Sequence, residues 1–247
     1  MADTYRSDDW DEYRMDYGHP HREIEPPARE IAIVGEALEA LRSAGVLAHT
    51  DYDGERMEAH RRAVRELFEI PWTAITPRMQ RLLYAISAIA RPARMIAAGV
   101  FCGNTFISNA GAAVGPGACY RAEQLIGVEI DPDRAALAER NVRAIDPTGV
   151  ARIVAEDAVD TARRFEGPID LLYLDADGTP EKGKGIYLDI LQAAWDRVPV
   201  GGIVLAHNSV NAAERLTHYL DFVRDPANCA ASVNVIFDIE GLEVSVR

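Results

Sequence analysis

Residues 94–131 constrain the fold more than any other stretch of the chain. They read Arg-Met-Ile-Ala-Ala-Gly-Val-Phe-Cys-Gly-Asn-Thr, then a helix-like run, then Leu-Ile-Gly-Val-Glu-Ile-Asp. This is a strand, a glycine turn, a helix and a second strand that ends in acid. Gly99 and Gly103 let the backbone approach a ligand where a side chain would collide. The helix N-terminus that follows offers unpaired N–H groups. Glu129, at the end of the next strand, can accept two hydrogen bonds from a ribose diol. The segment therefore reads as a pocket for a nucleoside with a charged tail. The plainer readings are a glycine turn that serves packing and a solvated loop carboxylate at Glu129.

The same rhythm continues to the C-terminal region. Apolar strands are expected at 94–98, 125–130, 151–155, 169–174 and 202–206, with helices at 104–114, 133–145, 158–165 and 185–197. Such alternation means a parallel sheet with helices on both faces. Residues 232–247 break it and read as two strands joined at Glu240-Gly241. Upstream, 30–44 forms an amphipathic helix stopped by Gly45, and a second helix covers about 55–68. A third is capped by Thr76 with Pro77 in its first turn and ends before Pro92. Three units follow: an acidic, aromatic tail or lid at 1–30, a helical cap at 31–92 and a sheet domain at 93–247. In the first, Trp10, Tyr13 and Tyr17 fall at helical spacing and could cover a substrate.

Charge narrows the partners. The net charge of −13 comes from 26 basic and 39 acidic residues, without the clustered Lys and Arg that a phosphate backbone demands. Nucleic acid and an anionic membrane are thus not expected as partners, a small-molecule substrate is, and a homodimer stays open. Cys102, Cys119 and Cys229 are odd in number and lack metal-type spacing, which suggests a cytoplasmic setting.

Three more strand ends carry chemistry. Asp157 can accept from an exocyclic adenine amine, or cap the helix that begins at Ala158. Asp175 closes an apolar strand at its carboxyl end, where ligands of open α/β sheets bind. His207 and Asn208 close the next. Asp175, His207 and Asn208 offer a carboxylate, an imidazole and an amide oxygen, a candidate divalent-cation site. Alternatively His207 is a general base oriented by Asp175, or a hydrogen-bonded structural histidine.

Taken together these motifs resemble the class I S-adenosylmethionine-dependent methyltransferases, in particular the cation-dependent O-methyltransferases of the catechol and caffeoyl-CoA type. The resemblance covers about 70–247. It rests on Gly99-Val-Phe101-Cys-Gly103-Asn104, Val128-Glu129-Ile130-Asp131, Glu156-Asp157-Ala158, Leu174-Asp175-Ala-Asp177 and Gly201-Gly202-Ile-Val-Leu-Ala-His207-Asn208. It implies a Rossmann-like, mostly parallel seven-stranded sheet with a C-terminal antiparallel hairpin. It also implies S-adenosylmethionine (SAM) held by Gly99, Phe101, Gly103, Asn104, Glu129, Ile130, Asp157, Ala158 and Asp175. The catalytic residues would be His207 and Asp175, with a divalent cation, if any, on Asp175, His207 and Asn208.

The departures bear on the reaction. Ala97 stands where the family usually has an acid, and Phe101 where it has its middle glycine. His207 replaces the second metal-binding Asp, and Gly178 replaces a Lys that resembles a catalytic base in relatives. Lys182 or Lys184 could substitute, or be solvated. The primary expectation is O-methylation of a small hydroxylated metabolite. The alternatives are an internal displacement on SAM that releases methylthioadenosine, cyclisation of a bound substrate, and a SAM-binding module without turnover. A nicotinamide dehydrogenase fits less well, because Phe101 blocks a close pyrophosphate approach.

Overall fold

In a computed structural model that describes residues 3–247, the apolar runs pair into one sheet with helices on both faces. The strands are β1 (Asp3–Arg6), β2 (Arg94–Ala98), β3 (Gln124–Glu129), β4 (Ala151–Ala155), β5 (Leu171–Leu174), β6 (Ile203–His207), β7 (Ala231–Ile236) and β8 (Leu242–Val246). Their order is β1-β7-β8-β6-β5-β2-β3-β4. Only β8 runs antiparallel to its neighbours, β6 and β7, as the terminal hairpin requires.

The helices are α1 (Pro27–Ser43), α2 (Gly54–Leu67), α3 (Pro77–Ala90), α4 (Asn104–Ala110), α5 (Pro132–Ile145), α6 (Ala158–Arg164), α7 (Ile186–Ala194) and α8 (Thr217–Val223). Strand side chains alternate between two cores. Met95, Ala97, Leu125, Leu171, Tyr173 and Leu205 pack with α1, α3, α4 and α5. Ile96, Ala98, Ile126, Leu172, Leu174 and Val204 pack with α6, α7 and α8. Thr76 caps α3 by accepting from the Met79 N–H at 3.2 Å, and Pro77 fills its first turn.

Three expectations are corrected. The sheet has eight strands rather than seven: Asp3–Arg6 pairs in parallel with β7 and covers an edge that would otherwise be open. Tyr5 anchors it, packing on the core while its hydroxyl donates to Glu36 at 2.9 Å. Residues 7–26 form turns rather than a helix, so Trp10, Tyr13 and Tyr17 do not share one helical face. The sequence reading assigns no helix between His207 and the hairpin, yet α8 forms there and buries Tyr219, Leu220 and Val223. Met1 and Ala2 of the N-terminal unit lie outside the described residues. No helix among the described residues is long and apolar enough to cross a membrane.

The N-terminal segment is held by charge. Arg78, on α3 and fully buried, directs its five N–H groups at Asp9, Glu25 and the Phe237 carbonyl, at 2.6–3.2 Å. The Tyr13 ring lies 3.7 Å from its guanidinium carbon. Farther along, the Tyr17 hydroxyl donates to Glu240 at 3.2 Å, and the Tyr17 carbonyl accepts from the Thr73 N–H at 3.1 Å.

Candidate active site

The carboxyl ends of β2 to β6 share one edge of the sheet, and the chain order reverses between β2 and β5. Ligands of open α/β sheets bind at such a switch point. A cleft of about 640 Å³ opens there, large enough for a small organic ligand.

The glycine turn forms one wall. Gly99 has φ +80°, and a Cβ at this position would lie 2.5 Å from the Ala176 backbone. Only glycine lets the β2 and β5 ends close up here. Phe101 has φ +49°, a left-handed conformation uncommon for a bulky residue. Two contacts hold it: its N–H donates to Glu129 Oε2 at 2.8 Å, and its ring packs on Trp72 with centroids 4.8 Å apart. Arg134 lies 5.4 Å from the same ring. Glu129 is buried rather than solvated, and its Oε1 accepts from the Asp131 N–H at 3.2 Å. Each carboxylate oxygen thus keeps acceptor capacity for a ligand hydroxyl. Ile130 is 68% exposed at the cleft, an apolar surface suited to a flat ring.

Asp157 does cap α6, accepting from the Asp160 N–H at 3.0 Å, and it also lines the cleft beside Ala158. Asn104 is buried in the wall and donates to Thr73 at 3.1 Å. Gly103 does not line the cleft. It precedes α4 with φ +87° and packs on Ala138 of α5, a packing glycine rather than a ligand contact. Ala97 is fully buried in the core, so the cleft's carboxylates come from Glu129, Glu156, Asp157, Asp175 and Asp177.

Asp175, His207 and Asn208 converge at the other end. His207 is 2% exposed, its Nδ1 lies 3.4 Å from Asp175 Oδ2, and its Nε2 has no partner. The Tyr187 hydroxyl donates to the His207 carbonyl at 3.3 Å. Asn208, at φ +66°, donates through Nδ2 to Glu240 at 3.1 Å, leaving Oδ1 without a partner. Burial disfavours a charged His207, but the carboxylates of Asp175, Asp238 and Glu240 outweigh it and raise its pKa. Burial likewise disfavours an ionised Asp175, and Lys184 and His207 overcome this and lower its pKa.

Lys184 reaches Asp175 from a glycine-flanked turn, with Nζ 3.0 Å from both Oδ1 and the carbonyl oxygen. Lys182 instead pairs with Asp189 and is 42% exposed. Among the described residues no three His, Cys, Asp or Glu side chains converge closely enough to hold a metal ion. With one ammonium already on its main carboxylate, the set Asp175, His207 and Asn208 does not fit a divalent cation.

The nucleoside end does fit. A glycine cradle, a buried carboxylate with free acceptor capacity, an exposed apolar platform and an acid at the next strand end suit an adenosine with a charged tail. The sequence reading did not single out Trp72, Thr73 and Arg134, which also line the cleft. The dipeptide Pro71-Trp72 just before α3 was the available signal for the first of these.

Comparison with known proteins agrees with this geometry. Residues 96–209 match a family described as a methyltransferase domain. No curated protein matches the chain. A cofactor-bound structure of Rv0187 from MTB is 17% identical, covers 91% of this chain and 98% of its own, and has a TM-score of 0.59. An O-methyltransferase from Bacillus cereus in complex with SAH is 12% identical, with coverages of 88% and 100% and a TM-score of 0.57. The O-methyltransferase TomG from Streptomyces achromogenes, involved in tomaymycin synthesis and solved with SAM, is 16% identical, with coverages of 79% and 90% and a TM-score of 0.56. The chain is thus similar to a methyltransferase domain over 96–209, and it shares its overall fold with these structures.

Proposed function

We propose that this protein binds S-adenosylmethionine and O-methylates a small hydroxylated molecule. One observation carries the reading. A single cleft joins a nucleoside cradle at Gly99 and Glu129 to a buried imidazole whose Nε2 has no protein partner.

Gly99, Glu129, Ile130, Asp157 and Ala158 hold the nucleoside, and Asp175 faces its charged tail. When bound, the cosubstrate supplies a methyl group already activated on a sulfonium, and the C–S bond breaks toward sulfur to leave a neutral thioether. The protein must then align the acceptor and take its proton. His207 Nε2 receives the O–H proton, and Asp175 beside Nδ1 steadies the resulting imidazolium. The N-terminal segment reaches the cleft lining indirectly, with the Tyr17 carbonyl on the Thr73 N–H and the Tyr17 hydroxyl on Glu240, which accepts from Asn208; this supports reading it as a cover rather than a tail.

Mass spectrometry of the protein incubated with SAM, with and without a panel of phenols and other hydroxylated molecules, tests the assignment. S-adenosylhomocysteine that forms only with an acceptor is the expected result. Methylthioadenosine from SAM alone would replace it with internal displacement. SAM binding by calorimetry without any product would reduce the protein to a binding module.

A further inference from the structure

The acceptor end of the cleft contains its own cation. Lys184 Nζ lies 3.0 Å from Asp175 Oδ1, 3.0 Å from the Asp175 carbonyl oxygen and 3.3 Å from Asp177 Oδ2. Its side chain is 14% exposed, and the Tyr187 ring centroid lies 5.6 Å from the ammonium. Three oxygens and an aromatic face make a built site rather than a solvated surface lysine.

The backbone is shaped to deliver it. Gly178 donates its N–H to the Gly183 carbonyl at 3.0 Å, closing the loop between Asp177 and Lys184. Gly183 has φ +47°, a left-handed conformation that strains any residue with a side chain. A side chain at 183 would therefore disturb the turn that returns Lys184 to Asp175.

We propose that Lys184 is the resident cation of the acceptor site, standing where a divalent metal would have to stand. A metal ion bound to Asp175 Oδ1 would lie against the ammonium, so the two compete for one carboxylate. Asp177 is 69% exposed, which leaves the contact to it exchangeable. An acceptor oxygen takes Asp177's place on Nζ. The ammonium then stabilises the negative charge that develops as the O–H proton passes to His207 Nε2 and the oxygen bonds to the methyl carbon. The raised pKa of Lys184, where Asp175 and Asp177 overcome the effect of burial, keeps the charge in place.

This inference rests on the proposed methyl transfer, but its test has an arm that does not. Calorimetry with Mn²⁺ would compare the full chain with Lys184→Ala and Lys184→Met. Wild type binds no Mn²⁺ at this site. Lys184→Ala, which removes the ammonium and keeps the oxygens, gains one Mn²⁺ per chain. Turnover of the wild type is unchanged by a chelator. Lys184→Met lowers kcat roughly 10²- to 10³-fold while its affinity for S-adenosylhomocysteine stays within about threefold, which shows an intact fold and cradle. Mn²⁺ partly restores turnover to Lys184→Ala but not to Lys184→Met, whose side chain fills the space.

A wild type that binds Mn²⁺ and loses turnover to the chelator would overturn the inference. So would Lys184→Met at full kcat, or Lys184→Ala that binds no Mn²⁺. If no form methylates any acceptor, the functional reading fails, and Mn²⁺ binding still decides what occupies the cation position.

Discussion

Two of the buried groups of charged side chains in this protein are built to opposite ends. Around Arg78 every donor is used: five hydrogen bonds tie the guanidinium to Asp9, Glu25 and the Phe237 carbonyl. The hydrogen bond from Arg78 holds the Asp9 carboxyl well below the usual range. Arg81, one helical turn on, is likewise bonded to Glu30, Glu58 and Tyr52. Around His207 the bonding is incomplete. Both ring nitrogens and Asn208 Oδ1 lack a hydrogen-bond partner, although each residue lines the cleft. A buried polar atom without a partner is costly, and the three here gather in residues that line one cleft, whereas those at Tyr13, His60 and Tyr219 are isolated and line none. This gathering at a cleft distinguishes a candidate ligand site from a structural clamp better than burial or charge does, since both groups have these.

The comparison breaks most decisively if the two groups trade roles under mutation. His207→Gln keeps a polar side chain of similar size and removes the base. Its kcat is expected to fall roughly 10²- to 10⁴-fold, with urea-unfolding stability within about 1 kcal/mol of wild type. Arg78→Met should do the reverse. It strands the carboxylates of Asp9 and Glu25, a loss of about 3–5 kcal/mol in unfolding free energy. Under conditions where the variant stays folded, its kcat should match wild type. A stability loss in His207→Gln as large as that in Arg78→Met would make His207 structural.

These two regions were unequally legible in the sequence. The site residues stand at the carboxyl ends of apolar strands, and strand ends can be read from composition alone. Glu129, Asp157, Asp175 and His207 were found that way. The clamp was hidden because Arg78 meets Glu25 and Asp9 across 53 and 69 positions, a distance no local pattern spans. Strand β1 escaped for the same reason, since Asp3–Arg6 is a short polar stretch whose partner is β7, at 231–236. Lys184 fell between these cases. Its loop was legible as glycine-rich, but the return to Asp175 depends on the positive φ of Gly183 and the bond from Gly178. Gly103 shows the opposite failure, a motif position whose glycine serves helix packing.

A third buried group sharpens the contrast through pH. His60 on α2 is 3% exposed, stacks on Tyr84 with centroids 5.8 Å apart, and has no bond at Nδ1. It has no carboxylate beside it to offset burial. Burial, helped by Arg61, pushes its pKa down to about 4, the reverse of His207. A depressed histidine stays neutral in the fold while the unfolded chain takes up the proton. Its contribution is therefore present above pH 6.5 and lost as pH falls toward 4, by about 3 kcal/mol in all. Chemical denaturation across that window should show wild type losing more stability than His60→Gln. Equal losses would mean that His60 is not buried in neutral form. Asp9 and the other paired carboxylates lose their contribution mainly below about pH 5 and equally in both proteins, so the difference between wild type and His60→Gln reports on His60.

The smallest effect tests whether the clamp and the site are coupled at all. Tyr17 belongs to the segment that Arg78 holds, yet its hydroxyl donates to Glu240 at 3.2 Å, and Glu240 accepts from Asn208 at 3.1 Å. Tyr17→Phe removes that one link and nothing else. Tyr17 is 46% exposed, so the bond is worth about 0.5–1 kcal/mol, or roughly two- to fivefold in a binding constant. The loss is expected in KM for the acceptor, because Asn208 borders that end of the cleft. Affinity for S-adenosylhomocysteine and unfolding free energy should not move, since Glu129 and Arg78 are untouched. An unchanged acceptor KM would make the two charged groups independent, joined by contact but not by energy. A rise confined to KM would mean that the segment clamped by Arg78 sets how firmly the acceptor is held.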